Sequence, residues 1–226
     1  MMSAATQQHS TLLAHKAFMD GCRVVLASKS PRRKEIFGLM GLDERLEVIV
    51  SEFEEDLRKA DFPQPGDYAA ATAKFKAAEV AAKVLPARSD NRPTIVVGSD
   101  TIVELDGTIL EKPDDAQHAF RMLKSLSGRR HLVHSGVAVF TGACGSAQPA
   151  ACWYDTTSVE FLAMSDDEIW AYVESGEPMD KAGAYGIQGL GGQFVKGVEG
   201  CYFNVMGFPM SKFGTCLAKL IESGKV

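Results

Sequence analysis

The 226-residue chain has five cysteines (Cys22, Cys144, Cys152, Cys201 and Cys216), with no CxxC pair and one left over. That argues against a disulfide framework and fits structural thiols in a reducing compartment, read here as cytoplasmic. The five histidines are equally scattered, so neither residue type shows the ligand spacing of a zinc site. No apolar run is long enough to cross a bilayer. Residues 1–21 lack the basic start and long apolar core of a signal peptide, and arginine is missing before Arg23, which counts against a transit peptide. They read as a disordered or loosely helical extension. An excess of positive charge is also absent. The formal net charge of -5 argues against nucleic acid or a membrane surface as the main partner.

What is present suffices for a sizeable core: 46% of the residues are hydrophobic, and no repeat or low-complexity linker interrupts them. Residues 22–226 read as a single α/β domain. Its organising stretch is Arg23 to Gly41, RVVLASKSPRRKEIFGLMG. Val24, Val25 and Leu26 form a strand-like run. Ser30 then suits a helix N-cap, Pro31 the first helical position and Gly41 the stop. Ile36, Phe37, Leu39 and Met40 give this helix an apolar face. Arg32 and Arg33 are out of place in its first turn, where the dipole favours acidic residues. Either an anion docks on them, with the free N–H groups and the serine hydroxyls, or they are solvated surface arginines.

Further along, Leu46–Val50 reads as a strand and Ser51–Asp56 as an acidic loop. An Ala-rich helix from about Tyr68 to Lys83 carries a buried stripe of Ala69, Ala73, Ala77, Val80 and Val84. Lys76 borders that stripe, placed to reach into a cleft or to snorkel to water, while Lys74 points away. Thr94–Val97 and Ile102–Leu105 are strand-like, and Asp106-Gly107 signals a tight hairpin. Asp100 lies inside this apolar pair, where a carboxylate needs a partner. Gly98 beside it signals a bulge or a close backbone approach. In ideal register Lys112 faces Thr101, and Asp100 falls on the other side. A bulge at Gly98–Ser99, or the break forced by Pro113, would bring Asp100 and Lys112 together.

A helix follows over Asp114–Leu126 with Phe120, Leu123 and Leu126 inward, then strands over His131–Phe140 and Ala151–Ala163. Ser165 to Glu168 has the spacing of a capping box. The glycine-rich tail MDKAGAYGIQGLGGQFVKGVEGCYFNVMGFP lacks the order of a phosphate loop and reads as an irregular wall around a ligand. Pro209 opens a closing helix with Met210, Phe213, Leu217, Leu220 and Ile221 inward.

LASKSPRR, AKFKA, GSDTIVELDGTILEKP, KAGAYGIQG and GCYFNVMGFP resemble, in order, the motifs of the Maf family of nucleotide pyrophosphatases, from Arg23 onward. The resemblance implies an elongated mixed β-sheet with flanking helices and a cleft between two lobes, like inosine triphosphate pyrophosphatases. It also implies hydrolysis of a nucleoside triphosphate to the monophosphate and pyrophosphate with a divalent metal, Mg2+ or Mn2+, by a homodimer. By motif, Ser28, Arg32 and Arg33 hold the phosphates, Lys76 and Lys112 add positive charge, and Asp100 accepts the proton of the attacking water. Glu55, here in a Glu54-Glu55 pair, joins Asp100 at the metal. Thr101 and Gln188 are similar to the dTTP/UTP-cleaving subgroup; the 7-methyl-GTP subgroup, the alternative, carries Gln and Glu at those places. A non-catalytic nucleotide-binding regulator of cell division is the rival reading, and retention of Asp100 and both lysines speaks against it.

Overall fold

The computed structural model describes residues 11–86 and 92–226. The first ten residues of the expected extension lie outside that range. The rest of it is helical, one of the two forms read from the sequence: Leu12–His15 makes a 3-10 turn leading into α1 (Lys16–Asp20). Leu12 and Met19 are buried in the main core, which is the apolar gain that orders this segment.

β1 (Arg23–Ala27) leads into α2 (Pro31–Leu39), β2 (Leu46–Val48) and the 20-residue α3 (Pro65–Val84). β3 (Thr94–Leu105) turns at Asp106 and Gly107, both at positive φ, into β4 (Thr108–Leu110). α4 (Ala116–Leu126), β5 (Arg130–Thr141), β6 (Ala151–Phe161) and α5 (Asp166–Glu174) follow. The expected capping box at Ser165 and Glu168 is formed in both directions. A glycine-rich series of 3-10 turns leads to β7 (Val195–Glu199), α6 (Tyr202–Met206) and α7 (Met210–Glu222).

The strands form one mixed seven-stranded sheet in the order β2-β1-β3-β5-β6-β7, with β4 paired to β3. β1 runs parallel to β2 and β3, and the remaining pairs are antiparallel. Strand alternation divides the core. Val24 and Leu26 pack on the face that carries α2, with Phe37 and Phe208 at 4.9 Å and Phe208 and Phe213 at 4.9 Å. Val25 and Ala27 pack on the other face with Ala77, Val80 and Val84 of α3, bearing out the Ala-rich stripe. The chain therefore departs from the ends of β1 and β2 to opposite faces, and a crevice opens where it diverges.

Three local readings need correction. Leu39 is 62% exposed, because α2 buries only Ile36 and Phe37 from its apolar set with Met40 half-buried. β2 ends at Val48, and Val50 lies outside the ladder. The two strand segments around Asp100 are one continuous strand without a bulge: the register with β5 runs unbroken from Ile95↔Thr141 to Glu104↔Leu132. Pairing with β1 on one edge and β5 on the other holds this strand straight through Gly98.

Gly98 has the other role foreseen for it, close backbone approach. A Cβ there would lie 2.4 Å from the Ala73 carbonyl oxygen, and one on Gly136 would lie 2.2 Å from that of Ala69. Both glycines let α3 settle onto the sheet. Gly98→Ala and Gly136→Ala are each expected to lower stability by about 1–3 kcal/mol through overpacking. Urea midpoints within experimental error of wild type would show that α3 does not need this approach.

Candidate active site

The crevice between α2 and α3 is a cleft of about 830 Å³. One side is built by the start of α2, the acidic loop after β2 and the middle of α3. The other is built by the glycine-rich turns and the end of α6.

Close packing of α3 directs Lys76 at the sheet. Its buried ammonium lies 2.8 Å from Asp100 Oδ1 and 2.8 Å from Glu55 Oε1. Lys76 is thus the partner that Asp100 requires, and among the described residues Lys112 makes no ion pair with Asp100. Asp100 shares its face of β3 with Gly98, toward α3. Lys112 leaves the sheet after Leu110 and stands exposed in the cleft wall. Glu55 reaches Lys76 because α3 also holds the loop that carries it. Glu79 accepts from Ser51 Oγ at 2.5 Å and from the backbone N–H groups of Glu52 and Phe53 at 2.8 and 3.1 Å. Phe53 stacks on Phe75 with centroids 5.2 Å apart. Burial by itself would raise the Glu55 pKa. The hydrogen bond and charge of Lys76, with the charges of Lys112 and Arg33, outweigh it and hold the carboxyl below its ordinary value.

On the opposite face of β3, Thr101 meets Arg33. The Arg33 side chain is buried at 9% exposure and donates only to neutral acceptors. Nε reaches the Gly207 carbonyl at 3.0 Å, one terminal nitrogen reaches Ser28 Oγ at 2.9 Å and the other reaches Thr101 Oγ1 at 3.1 Å. Burial pushes its pKa down, opposed by the nearby charge of Asp100. This is a cation fixed at the bottom of a cleft, not a solvated surface arginine. Ser28 Oγ also accepts from the Ser30 N–H at 3.3 Å. The expected Ser30 cap is therefore a correction: Ser30 occupies the N-cap position, but its hydroxyl makes no capping bond.

Arg32 is paired differently. It donates to Asp180 Oδ2 at 2.9 Å and to the Asp180 carbonyl at 3.3 Å, and Lys181 holds the other carboxylate oxygen at 2.7 Å. Asp180 and Lys181, which line the cleft with Gln188 and the buried Tyr185, escaped the motif reading although they stand in the quoted MDKAGAYGIQG. Charged residues beside a glycine-rich turn were the available signal. Val103, Val133, Met179, Val205 and Met206 add an apolar share to the lining of the cleft.

Among the described residues, no group of three or more His, Cys, Asp or Glu side chains is gathered to hold a metal. Two carboxylate oxygens do converge, since Glu55 and Asp100 both touch the Lys76 ammonium. Magnesium commonly takes one or two carboxylates and completes its shell with phosphates and water, so this donor pair fits it.

Residues 23–220 match the family described as Maf-like protein. The chain belongs to that family. This Maf-like chain is 50% identical over 204 residues to the "Probable bifunctional dTTP/UTP pyrophosphatase/methyltransferase protein" of Homo sapiens, covering 88% of this chain and 32% of that protein. It thus spans about a third of the human relative. It is 46% identical over 193 residues to the "dTTP/UTP pyrophosphatase" of Clostridium perfringens strain 13, covering 84% of this chain and 93% of that one. The protein of the same name from Thermococcus kodakarensis is 43% identical over 190 residues, with coverages of 83% and 91%. Among solved structures, a HAM1 protein from Coxiella burnetii aligns with a TM-score of 0.37 and 15% identity, covering 89% of this chain and 99% of that one.

The shared ammonium sets a pH signature. In the wild type the lowered Glu55 pKa contributes stability that is present above the ordinary carboxylate range and lost as pH falls through the folded-state value. Lys76→Met removes the hydrogen bond and the charge that hold the Glu55 pKa down and leaves the Asp100 carboxylate nearby, so the affinity of Glu55 for protons rises. The variant is expected to lose about 2 kcal/mol at pH 8 and to recover part of it toward pH 5. Denaturant titrations at both pH values check this. A deficit that does not shrink at pH 5 would mean that the carboxylates do not oppose each other.

Proposed function

We propose that the chain hydrolyses dTTP and UTP to the nucleoside monophosphate and pyrophosphate. One observation carries the reading: a single cleft gathers the α2 N-terminus, Arg32, Arg33, Lys76 and Lys112 around a carboxylate that lies nine-tenths buried, Asp100. Phosphoryl transfer needs neutralised charge and a positioned nucleophile more than it needs covalent chemistry by the protein. The names of the relatives, 40–50% identical over most of this chain, support the same reading.

Ser28, Arg32, Arg33 and Lys112 bind the polyphosphate. Asp100 keeps one oxygen on Lys76, while its second oxygen takes no hydrogen bond from a described residue. That second oxygen accepts the proton as the water oxygen bonds to phosphorus and the α–β anhydride opens. The Lys76 ammonium, 2.8 Å from the first oxygen, holds the carboxylate turned for this task. Glu55 and Asp100 are the residues that would hold Mg2+ or Mn2+, which when bound neutralises phosphate charge. The apolar lining residues receive the base, and the Gln188 amide offers both a donor and an acceptor to a uracil or thymine edge. A cytoplasmic homodimer completes the reading. It rests on the family resemblance and on the absence of disulfides among the five cysteines.

The test is pyrophosphate release, with magnesium or manganese, from a panel of dTTP, UTP, CTP, the purine triphosphates and 7-methyl-GTP. Preference for dTTP and UTP is expected. Preference for 7-methyl-GTP would keep the chemistry and overturn the base assignment. Binding without release from any of them would favour a regulator. Asp100→Asn keeps the shape of the side chain and removes the proton acceptor, so turnover should fall about 10²–10⁴-fold with nucleotide affinity retained. A near wild-type rate would remove Asp100 from that role.

A further inference from the structure

Thr101 stands where a base-reading residue was expected, yet its hydroxyl is committed to the protein. Oγ1 accepts from Arg33 at 3.1 Å, lies 2.9 Å from Ser135 Oγ and lies 3.2 Å from the Gly207 carbonyl. Ser135, paired across from Thr101 on β5 and fully buried, donates to the Asn204 carbonyl at 2.9 Å. Asn204 is itself fixed. Its fully buried side-chain amide donates to the Val133 carbonyl at 3.0 Å and to Thr157 Oγ1 at 3.1 Å, which pins α6 to β5 and β6.

The proton count gives this chain one direction. A carbonyl only accepts and a guanidinium only donates. Ser135 therefore spends its single proton on Asn204, and Thr101 spends its own on Ser135, at 2.9 Å the nearer of its two acceptors against 3.2 Å to the Gly207 carbonyl. What remains facing Arg33 is a lone pair of Thr101.

We propose that Ser135 and Asn204 are positioning residues: through Thr101 they fix the plane of the Arg33 guanidinium, and thereby its remaining donors, toward the polyphosphate. The inference rests on the reading of Arg33 as a phosphate ligand. Thr101 accordingly affects substrate choice through Arg33 and not by touching the base.

A double-mutant cycle tests it with Ser135→Ala, Thr101→Val and the combination, using the full chain and UTP. Thr101→Val is expected to raise KM about tenfold and Ser135→Ala about threefold, with kcat changed less than about twofold, as befits loss of one hydrogen bond that supports a charged group. The double variant should be no worse than Thr101→Val alone, because Ser135 acts through Thr101. Multiplying effects, or a lowered melting temperature with unchanged KM, would overturn the proposal. The same cycle read as binding of inorganic pyrophosphate separates the two levels. Coupled losses of pyrophosphate affinity in a protein that cleaves no nucleotide would keep the relay and refute the proposed activity. Uncoupled losses in an active enzyme would do the reverse.

Discussion

The Lys76 ammonium, shared between Asp100 and Glu55, is the contact on which the architecture of the cleft depends. Removing an ammonium and its partners from water costs several kcal/mol per ion, and only good geometry offsets that. Geometry here involves three elements at once. β3 must run straight so that Asp100 faces α3. α3 must approach the sheet over Gly98 and Gly136, where no side chain would fit. The acidic loop must be held against α3, which Glu79 and the Phe53–Phe75 stack accomplish. The result is two carboxylates around one cation, so the trio keeps a net negative charge beside Lys112 and Arg33. That imbalance suits a site where positive charge, a metal or a proton, arrives with the substrate or during the reaction.

The two arginines of α2 show how neighbours with the same chemistry receive different environments. Arg33 points inward and hydrogen-bonds carbonyl and hydroxyl oxygens, while Asp100 and Glu55 act on its charge without pairing with it. Arg32 points along the cleft wall and is cancelled by Asp180. An uncancelled buried cation binds an anion strongly because nothing has to be displaced. A cancelled one contributes only the difference between its new and old partners.

Much of this was legible in the sequence, because the signals were local. The apolar run before a Pro-started helix, the Ala-rich stripe, the Asp106-Gly107 hairpin and the Ser165–Glu168 box each depend on residues within one or two turns of each other. The ordered motifs carried the family assignment and most of the residues that line the cleft. What escaped depended on distant pairings. Arg32 meets Asp180 across 148 positions, and Arg33 meets Gly207 across 174. No periodicity encodes such contacts. Gly98 left two readings open, a bulge or a close backbone approach, and only the position of α3 decides between them. Ser30 was read as a cap from its position, while the neighbouring Ser28 hydroxyl meets its backbone N–H.

Internal pairing of the cations also bears on the length of the phosphate chain. A monophosphate reaching Arg33 alone would gain one charge-assisted contact and leave Arg32 with Asp180 and Lys76 with its carboxylates. In the proposed binding mode a triphosphate would span the start of α2 and Lys112 together, so several modest differences would add up and outbid Asp180 for Arg32. Hydrolysis at the α–β bond then divides those contacts between two products. Each product would then hold fewer cations than the substrate did, and Asp180 would reclaim Arg32. Selectivity for a polyphosphate and release of its fragments thus follow from the same competition between the substrate and the carboxylates of the chain.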